Sequence, residues 1–464
     1  MESNTPTIYV VFGITGDLAQ RKILPGLLRL FVERRLPKQC AIVGFGRRPF
    51  NREEFRAFLR ENMQVKITDF HGEDVKHFLD IISYVQGQFA DEMSYKLLSS
   101  HLKMIDGRWG LCANKIFHLS VPPQHYEGII GQLAVSGLTD SCGGIGGWTR
   151  VLIEKPFGKD IDTAKGLDKL LSQSFKEEQI FRIDHYLAKE AVQNIIAFRF
   201  ANAIFEPLWN KEYIEAIEIR LCERLTVLDR GDFYDGVGAL RDVGQNHALQ
   251  LLALITMDQP SSYAPASIRE ARTKLIQQLE PVPIKKLSQR FMRAQYEGYK
   301  EARGVHPESQ TETYFKLLTH IDSKRWSGVP IVIEAGKALK DQMTGIKVYF
   351  KPNASGNRNI VTFRLQPDEG ISVRVFVKQP GFDFQVVPKN LDFSYESFSQ
   401  DKRVPDAYER VILDAIEGNQ TLFASTKEVD ASWKFVTPLL RGLEHAPLKT
   451  YEIGSDGPDD DLTG

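Results

Sequence analysis

The chain is short of cysteine, of charge of one sign and of long apolar runs, and each shortage removes a class of protein. Its four cysteines, Cys40, Cys112, Cys142 and Cys222, are spread over 464 residues with no C-x-x-C or Cys/His ligand spacing. Neither a disulfide framework nor a zinc site is therefore indicated, no metal is expected, and a reduced cytoplasm fits best. Lys and Arg number 59 against 60 Asp and Glu, which removes the basic excess of a nucleic-acid binder and leaves positive charge to local pockets. No stretch reaches the roughly 20 apolar residues that cross a bilayer. The opening residues carry no basic and then apolar leader, so a soluble protein is expected, with neither membrane nor nucleic acid as partner.

What is present is ordinary globular composition at a length beyond one typical domain, and two domains are expected. The run Ile8-Tyr9-Val10-Val11-Phe12 reads as a strand. A glycine turn follows, then a helix to about Glu33 with apolar positions at Leu18, Ile23, Leu27, Leu28, Leu30 and Phe31. Strands near 40–45, 116–121 and 151–153 alternate with helical stretches, the rhythm of a doubly wound parallel sheet. This places a Rossmann-like dinucleotide-binding domain at residues 1–182. Downstream, helix signals at 188–203, after His247 and at 268–279 accompany strand-like runs at 214–221, 313–321, 330–334, 346–350, 360–365 and 371–376, with closing helices at 407–417 and 426–435. Consecutive strands without long helices between them argue for a large, mostly antiparallel sheet backed by helices, an α+β domain at 183–464. The acidic end, 454–464, reads as a frayed terminus.

Gly13-Ile14-Thr15-Gly16-Asp17-Leu18-Ala19 lies where the first strand turns into the first helix, where backbone N–H groups and the helix dipole can hold a pyrophosphate. Glycines at a tight βα turn also have a purely structural use. After the second strand an NAD site usually offers an acid to the ribose, whereas here Gly44-Phe45-Gly46 leads to Arg47-Arg48, whose guanidinium forks suit a 2′-phosphate and hence NADP. Adjacent arginines are equally at home as solvated surface residues.

Glu154-Lys155-Pro156-Phe157-Gly158 follows an apolar strand, so Lys155 is expected at the carboxyl edge of the sheet, where ligands of open α/β sheets bind. The run Arg182-Ile183-Asp184-His185-Tyr186-Leu187-Ala188-Lys189-Glu190 packs acid, imidazole, phenol and ammonium together. Read as a helix, it sets His185 and Lys189 on one face fit for a phosphate. An amphipathic helix start is the plainer reading of the same string. Arg241-Asp242-Val243-Gly244-Gln245-Asn246-His247 precedes an apolar helix and supplies a second imidazole. Oxidising a sugar hydroxyl needs a base for its proton, and a histidine with an ordinary pKa of about 6.5 suits that role.

These strings, in this order, resemble the glucose-6-phosphate dehydrogenase family. The resemblance extends through Phe205-Glu206-Pro207-Leu208-Trp209-Asn210, Thr311-Glu312-Thr313, Arg325-Trp326-Ser327-Gly328-Val329-Pro330, Gly336-Lys337-Ala338-Leu339 and Pro405-Asp406-Ala407-Tyr408-Glu409-Arg410. It implies oxidation of carbon 1 of glucose 6-phosphate to the lactone with hydride transfer to NADP, the first oxidative step of the pentose phosphate pathway. His247 would be the general base and Asp184 the carboxylate that holds its ring. His185, Tyr186 and Lys189 would hold the sugar phosphate. Glu223, Asp242, Lys155, Lys337 and Gln366 would contact sugar hydroxyls or complete the phosphate pocket. Gly13, Thr15, Gly16, Asp17, Leu18, Lys22, Arg47 and Pro122, with Lys155, would form the coenzyme site. A homodimer or homotetramer is implied as well. Ala188, Gly244 and Gln342 depart from the family pattern, Ala188 by adding a methyl beside the expected phosphate face and Gly244 by loosening the segment before His247. A dehydrogenase of another sugar or sugar phosphate, or a catalytically weak NADP-binding paralogue, is the alternative.

Overall fold

The computed structural model describes residues 5–66, 70–140, 146–398, 403–459 and 462, with side chains of 63–66 left aside. The chain forms two compact units. The first comprises Met1–Gly158, Asp162–Ala188 and Pro405–Thr426, and the second Lys159–Ile161, Lys189–Val404 and Lys427–Gly464.

Seven strands build the sheet of the first unit: β1 (Thr7–Phe12), β2 (Cys40–Gly46), β3 (Ile82–Gln86), β4 (Asn114–Leu119), β5 (Thr149–Glu154), β6 (Ile180–Ile183) and, from far downstream, β15 (Phe423–Ala424). Their order is β15-β6-β5-β4-β1-β2-β3. The six early strands run parallel in the order of a dinucleotide-binding doubly wound sheet. Every residue of β1 and β4 is buried, as both faces of a central parallel strand require.

A boundary at 182/183 would cut β6, and residues 405–426 lie in the first unit although the sequence reading gave them to the second domain. The reason is packing. At Gly26, on the helix Leu24–Val32, an added Cβ would stand 3.3 Å from Ile412 and 3.4 Å from the Glu409 nitrogen, so the helix Ala407–Glu417 presses directly onto it. β15 then extends the sheet edge, pairing antiparallel with β6.

Nine strands form the sheet of the second unit: β7 (Ile214–Cys222), β8 (Phe291–Tyr296), β9 (Tyr314–Thr319), β10 (Ile331–Gly336), β11 (Met343–Phe350), β12 (Ile360–Gln366), β13 (Gly370–Lys378), β14 (Val386–Ser394) and β16 (Leu448–Tyr451). The order is β14-β13-β12-β11-β7-β10-β9-β8-β16, antiparallel except for β7 with β10 and β8 with β16. In β7, buried Ile217, Ile219 and Leu221 alternate with half-buried Glu218 and Arg220, the pattern of a sheet covered on one face.

Five local expectations give way. Residues 185–188 form a turn, and the helix starts only at Glu190 with Lys189 as N-cap. Asp184 Oδ1 accepts the Tyr186 N–H at 3.0 Å, an Asx turn that competes with helix. Leu240–Ala248 is already helical, in the wider π winding, before continuing through Leu249–Thr256, so His247 lies inside a helix rather than ahead of one. Gly244 does not loosen that segment, because an added Cβ would sit 2.9 Å from both Leu240 and the Phe315 ring. The acidic end is not frayed where it is described: Lys340 N donates to Ser455 O at 2.8 Å, Gly454 N to Ala338 O at 2.8 Å, and Leu462 packs on a buried cluster that includes Leu339 and Tyr451. Cys40 and Cys222 are free thiols, Cys112 is disulfide-bonded against the expectation of unpaired cysteines, and Cys142 lies outside the described residues.

Candidate functional site

Because β1 to β6 are parallel, the residues that follow them collect at one edge of the first sheet. After β1, Gly13 takes φ +76°, donates its N–H to Phe45 O at 2.9 Å and accepts from Gly16 N at 2.8 Å. A Cβ there would lie 2.6 Å from Ser120 O, just beyond β4, so only glycine lets the turn sit at the point where the strand order reverses. Helix begins at Asp17, whose exposed carboxylate meets Arg21 at 2.6 Å. Its π-wound turn Ala19–Ile23 is followed by Leu24 and Pro25, and the proline has no N–H to offer the preceding turn. Thr15, Gly16 and Leu18 are half-buried, and exposed Lys22 reaches Asp406 at 3.3 Å.

After β2, exposed Arg47 holds its guanidinium carbon 5.7 Å from the Phe89 ring centre, and exposed Arg48 stands 5.6 Å from that of Phe58. Pro122 is exposed beyond β4. A glycine cradle that a Cβ would fill, a helix start and two cations with free reach fit a dinucleotide carrying an extra phosphate.

Beyond β5, Lys155 follows a buried anchor: Glu154 accepts from Tyr408 at 3.2 Å and pairs with His118 at 3.0 Å, while Tyr9 bonds the other nitrogen of His118 at 2.8 Å. Burial pushes the Tyr9 hydroxyl well above its ordinary range, with the Glu154 charge adding to it. The Lys155–Pro156 bond is cis. Beyond β6, Asp184 is buried, and the half-buried rings of His185 and Tyr186 lie 5.1 Å apart. Glu154 and Ile183 are paired across the two strands, so Lys155 and Asp184 leave the sheet in step. β6 itself is fixed by buried Arg182, which donates to Asp168 at 2.7 Å, Glu177 at 3.1 Å and Thr426 at 2.6 Å.

The second unit gathers its share at one sheet edge too. β7 and β10 are parallel neighbours with Cys222 opposite Gly336, so Glu223 and Lys337 emerge side by side and pair at 2.6 Å. The Lys337 nitrogen also stands 5.4 Å from the ring centre of Tyr234. Gln366 closes β12 in the register row of Thr344 and Leu221, hence at the same edge, and its amide oxygen accepts from Lys189 Nζ at 2.8 Å. Asp242 and His247 ride on the π-wound helix. Asn246 holds that winding, its Nδ2 donating to Arg241 O at 3.3 Å and its Oδ1 accepting the His247 N–H at 2.6 Å. Asp242 is half-buried, whereas His247 is only 1% exposed.

Sequence reading missed Tyr234, whose hydroxyl is pushed well up by burial and next by Asp242, and Tyr451, which donates to Lys337 O at 2.7 Å. Neither carries a local signal, since both act across long stretches of chain. Ala188 is buried, so its methyl does not crowd an exposed face, and Gln342 is exposed.

Two family models match the chain: "Glucose-6-phosphate dehydrogenase, NAD binding domain" over residues 10–194 and "Glucose-6-phosphate dehydrogenase, C-terminal domain" over residues 196–462. A glucose-6-phosphate 1-dehydrogenase of Chlamydia muridarum is 38% identical over 461 residues, covering 94% of this chain and 90% of that one. A solved glucose-6-phosphate dehydrogenase in complex with glucose 6-phosphate superposes with a TM-score of 0.91 at 32% identity, over 99% of this chain and 97% of the other. The Mycobacterium avium enzyme gives a TM-score of 0.84 at 30% identity, over 98% and 96%.

Proposed function

The chain belongs to the glucose-6-phosphate dehydrogenase family, and we propose that its two units divide one reaction, the first holding NADP and the second presenting glucose 6-phosphate. The activity is that of an NADP-dependent glucose-6-phosphate 1-dehydrogenase, which oxidises carbon 1 of the sugar to the lactone. The observation that carries the substrate reading is the sheet edge shared by Glu223, Lys337 and Gln366, with Lys189 bonded to Gln366, two cations among polar acceptors.

In this reading Gly13, Thr15, Gly16, Asp17 and Leu18 hold the pyrophosphate end of the coenzyme and Arg47 its 2′-phosphate, with Lys22, Pro122 and Lys155 toward the nicotinamide. NADP, when bound, accepts the hydride that leaves carbon 1. His247 takes the proton of the carbon-1 hydroxyl, and Asp184 orients the imidazole and stabilises it once charged. Since His247 is 1% exposed, this role requires that the substrate hydroxyl reach the ring in the working enzyme. His185, Tyr186 and Lys189 hold the phosphate. Glu223, Asp242, Lys337 and Gln366 bind sugar hydroxyls, which fixes which carbon faces the base.

We place the reaction in the cytoplasm, a reading supported by similarity to an Arabidopsis thaliana relative named as cytoplasmic. Among the described residues no helix is long and apolar enough to cross a membrane. A homodimer or homotetramer is proposed through the β13–β14 hairpin, where Phe382, Phe384 and Leu391 are exposed. A monomer by light scattering would contradict it.

NADP reduction by the purified protein against glucose and a panel of aldose 6-phosphates tests the function. Glucose 6-phosphate is expected to give the highest kcat/KM. A preference for an unphosphorylated sugar points to another sugar dehydrogenase, and no turnover with any member points to a binding paralogue.

A further inference from the structure

Residues 311–313, just ahead of β9, touch both halves of the proposed substrate site in the second unit. On one side Thr313 O accepts the Lys337 N–H at 3.0 Å, and Thr313 Oγ1 pairs at 2.9 Å with the Tyr451 hydroxyl that also binds Lys337 O. On the other side Glu312 turns to the start of the helix carrying Asp242 and His247. Its Oε1 accepts the Leu240 N–H at 3.0 Å, and its backbone oxygen accepts the Ala239 N–H at 3.0 Å. The helix opens at Gly238 and Ala239, neither of which has a side chain able to bond the first N–H groups. A carboxylate more than seventy residues downstream supplies the acceptor, at the end of the helix where the backbone dipole favours negative charge.

The fit is tight. Glu312 is 2% exposed. Gly238, at φ +77°, lies so near the carboxylate that an added Cβ would run into it. Burial raises the affinity of Glu312 for a proton, while the Leu240 N–H and the charges of Arg241 and Arg293 act the other way. A buried carboxylate is costly unless it is held by such donors, so its presence where an apolar residue would pack calls for a use.

We propose that Glu312 is a positioning residue for the reaction, fixing the first turn of the helix bearing Asp242 and His247 against the segment whose Thr313 holds the backbone of Lys337. The assignment rests on the site reading above. Glu312 touches no substrate in it. It sets the spacing between the helix and the Lys337 strand end, and so acts on turnover and on sugar phosphate rather than on the coenzyme.

Steady-state kinetics with glucose 6-phosphate and NADP, beside thermal unfolding, test it on Glu312→Leu, Glu312→Gln and Glu312→Asp. Losing the acceptor in Glu312→Leu is expected to lower kcat about 10- to 100-fold, the scale of a lost charge-assisted bond, with KM for NADP within about twofold. Glu312→Gln keeps an oxygen for Leu240 and is expected to recover most of that loss. Glu312→Asp keeps the charge but falls one methylene short, and is expected to lose about tenfold in kcat, so the test stands even if Glu312→Leu does not fold. Lower unfolding temperature with kcat unchanged in Glu312→Leu, or wild-type kcat in Glu312→Asp, would overturn the proposal. His247→Ala in the same assay separates the two readings: its inactivity beside normal Glu312 variants sinks this inference alone, and its full activity sinks the site reading.

Discussion

Glu223 and Lys337 leave the carboxyl ends of two parallel neighbours one step past a paired Cys222 and Gly336, and meet at 2.6 Å. The pair is pre-set by the backbone. Glu223 N donates to Gly336 O at 2.8 Å and Leu339 N to Glu223 O at 3.0 Å, so the backbone that carries the pair is held from both sides.

Replacing Lys337 by Gln should therefore weaken sugar-phosphate binding and leave the coenzyme alone. A bond to a charged group contributes about 1.5–3 kcal/mol, so KM for glucose 6-phosphate is expected to rise about 10- to 100-fold. KM for NADP should stay within about twofold. Initial-rate kinetics over both substrates check this, and an unchanged sugar-phosphate KM would remove Lys337 from the site.

Arg47 stands exposed after β2, where an acid would serve NAD. Arg47→Ala is expected to lower kcat/KM with NADP about 10- to 100-fold, in line with a lost guanidinium–phosphate bond. Efficiency with NAD should change far less. Parallel loss with both coenzymes would place the residue elsewhere.

Gly13→Ala puts a Cβ 2.6 Å from Ser120 O at φ +76°. The left-handed backbone alone costs about 1–2 kcal/mol for a residue with a Cβ, and the clash with a strand-end carbonyl adds to it. A lower midpoint of chemical unfolding together with weakened NADP binding by fluorescence titration is expected. Wild-type values in both would contradict the cradle.

Much of this was open to sequence reading where the signal is local. The βα turn at Gly13, the strand before Lys155 and the helix Ala407–Glu417 follow from glycine placement and apolar runs. Readings failed where one side chain or a distant segment decides. The Asx turn of Asp184 overrode a plausible helix through Lys189, and the π winding around His247 is held by Asn246 bonding five residues back. The strands β3, β6, β8, β14, β15 and β16 went unread. β14 has no buried residue and lacks alternation, and β15 and β16 are two and four residues long. That residues 405–426 join the first unit depends on Gly26 admitting a helix from nearly four hundred residues away, which no local pattern reports.

Asp414, on the helix Ala407–Glu417, is pushed from 3.8 up to about 6, chiefly by burial and against the pull of Arg410 at 3.1 Å. Between these two values the folded chain holds a proton that the unfolded chain has released. The stability present below the lower value is therefore lost as pH rises through about 6, by at most about 3 kcal/mol. Asp414→Asn carries no such charge. Its stability relative to the parent should increase from pH 4 to pH 7.5 in urea unfolding, and a difference independent of pH would refute the assignment.

The central claim is that one imidazole removes the carbon-1 proton, and kcat of His247→Ala tests it most directly. A fall of about 10² to 10⁴ with glucose 6-phosphate is expected, with the dissociation constant for NADP and the unfolding midpoint close to the parent's. Turnover within a few-fold of the parent would contradict it.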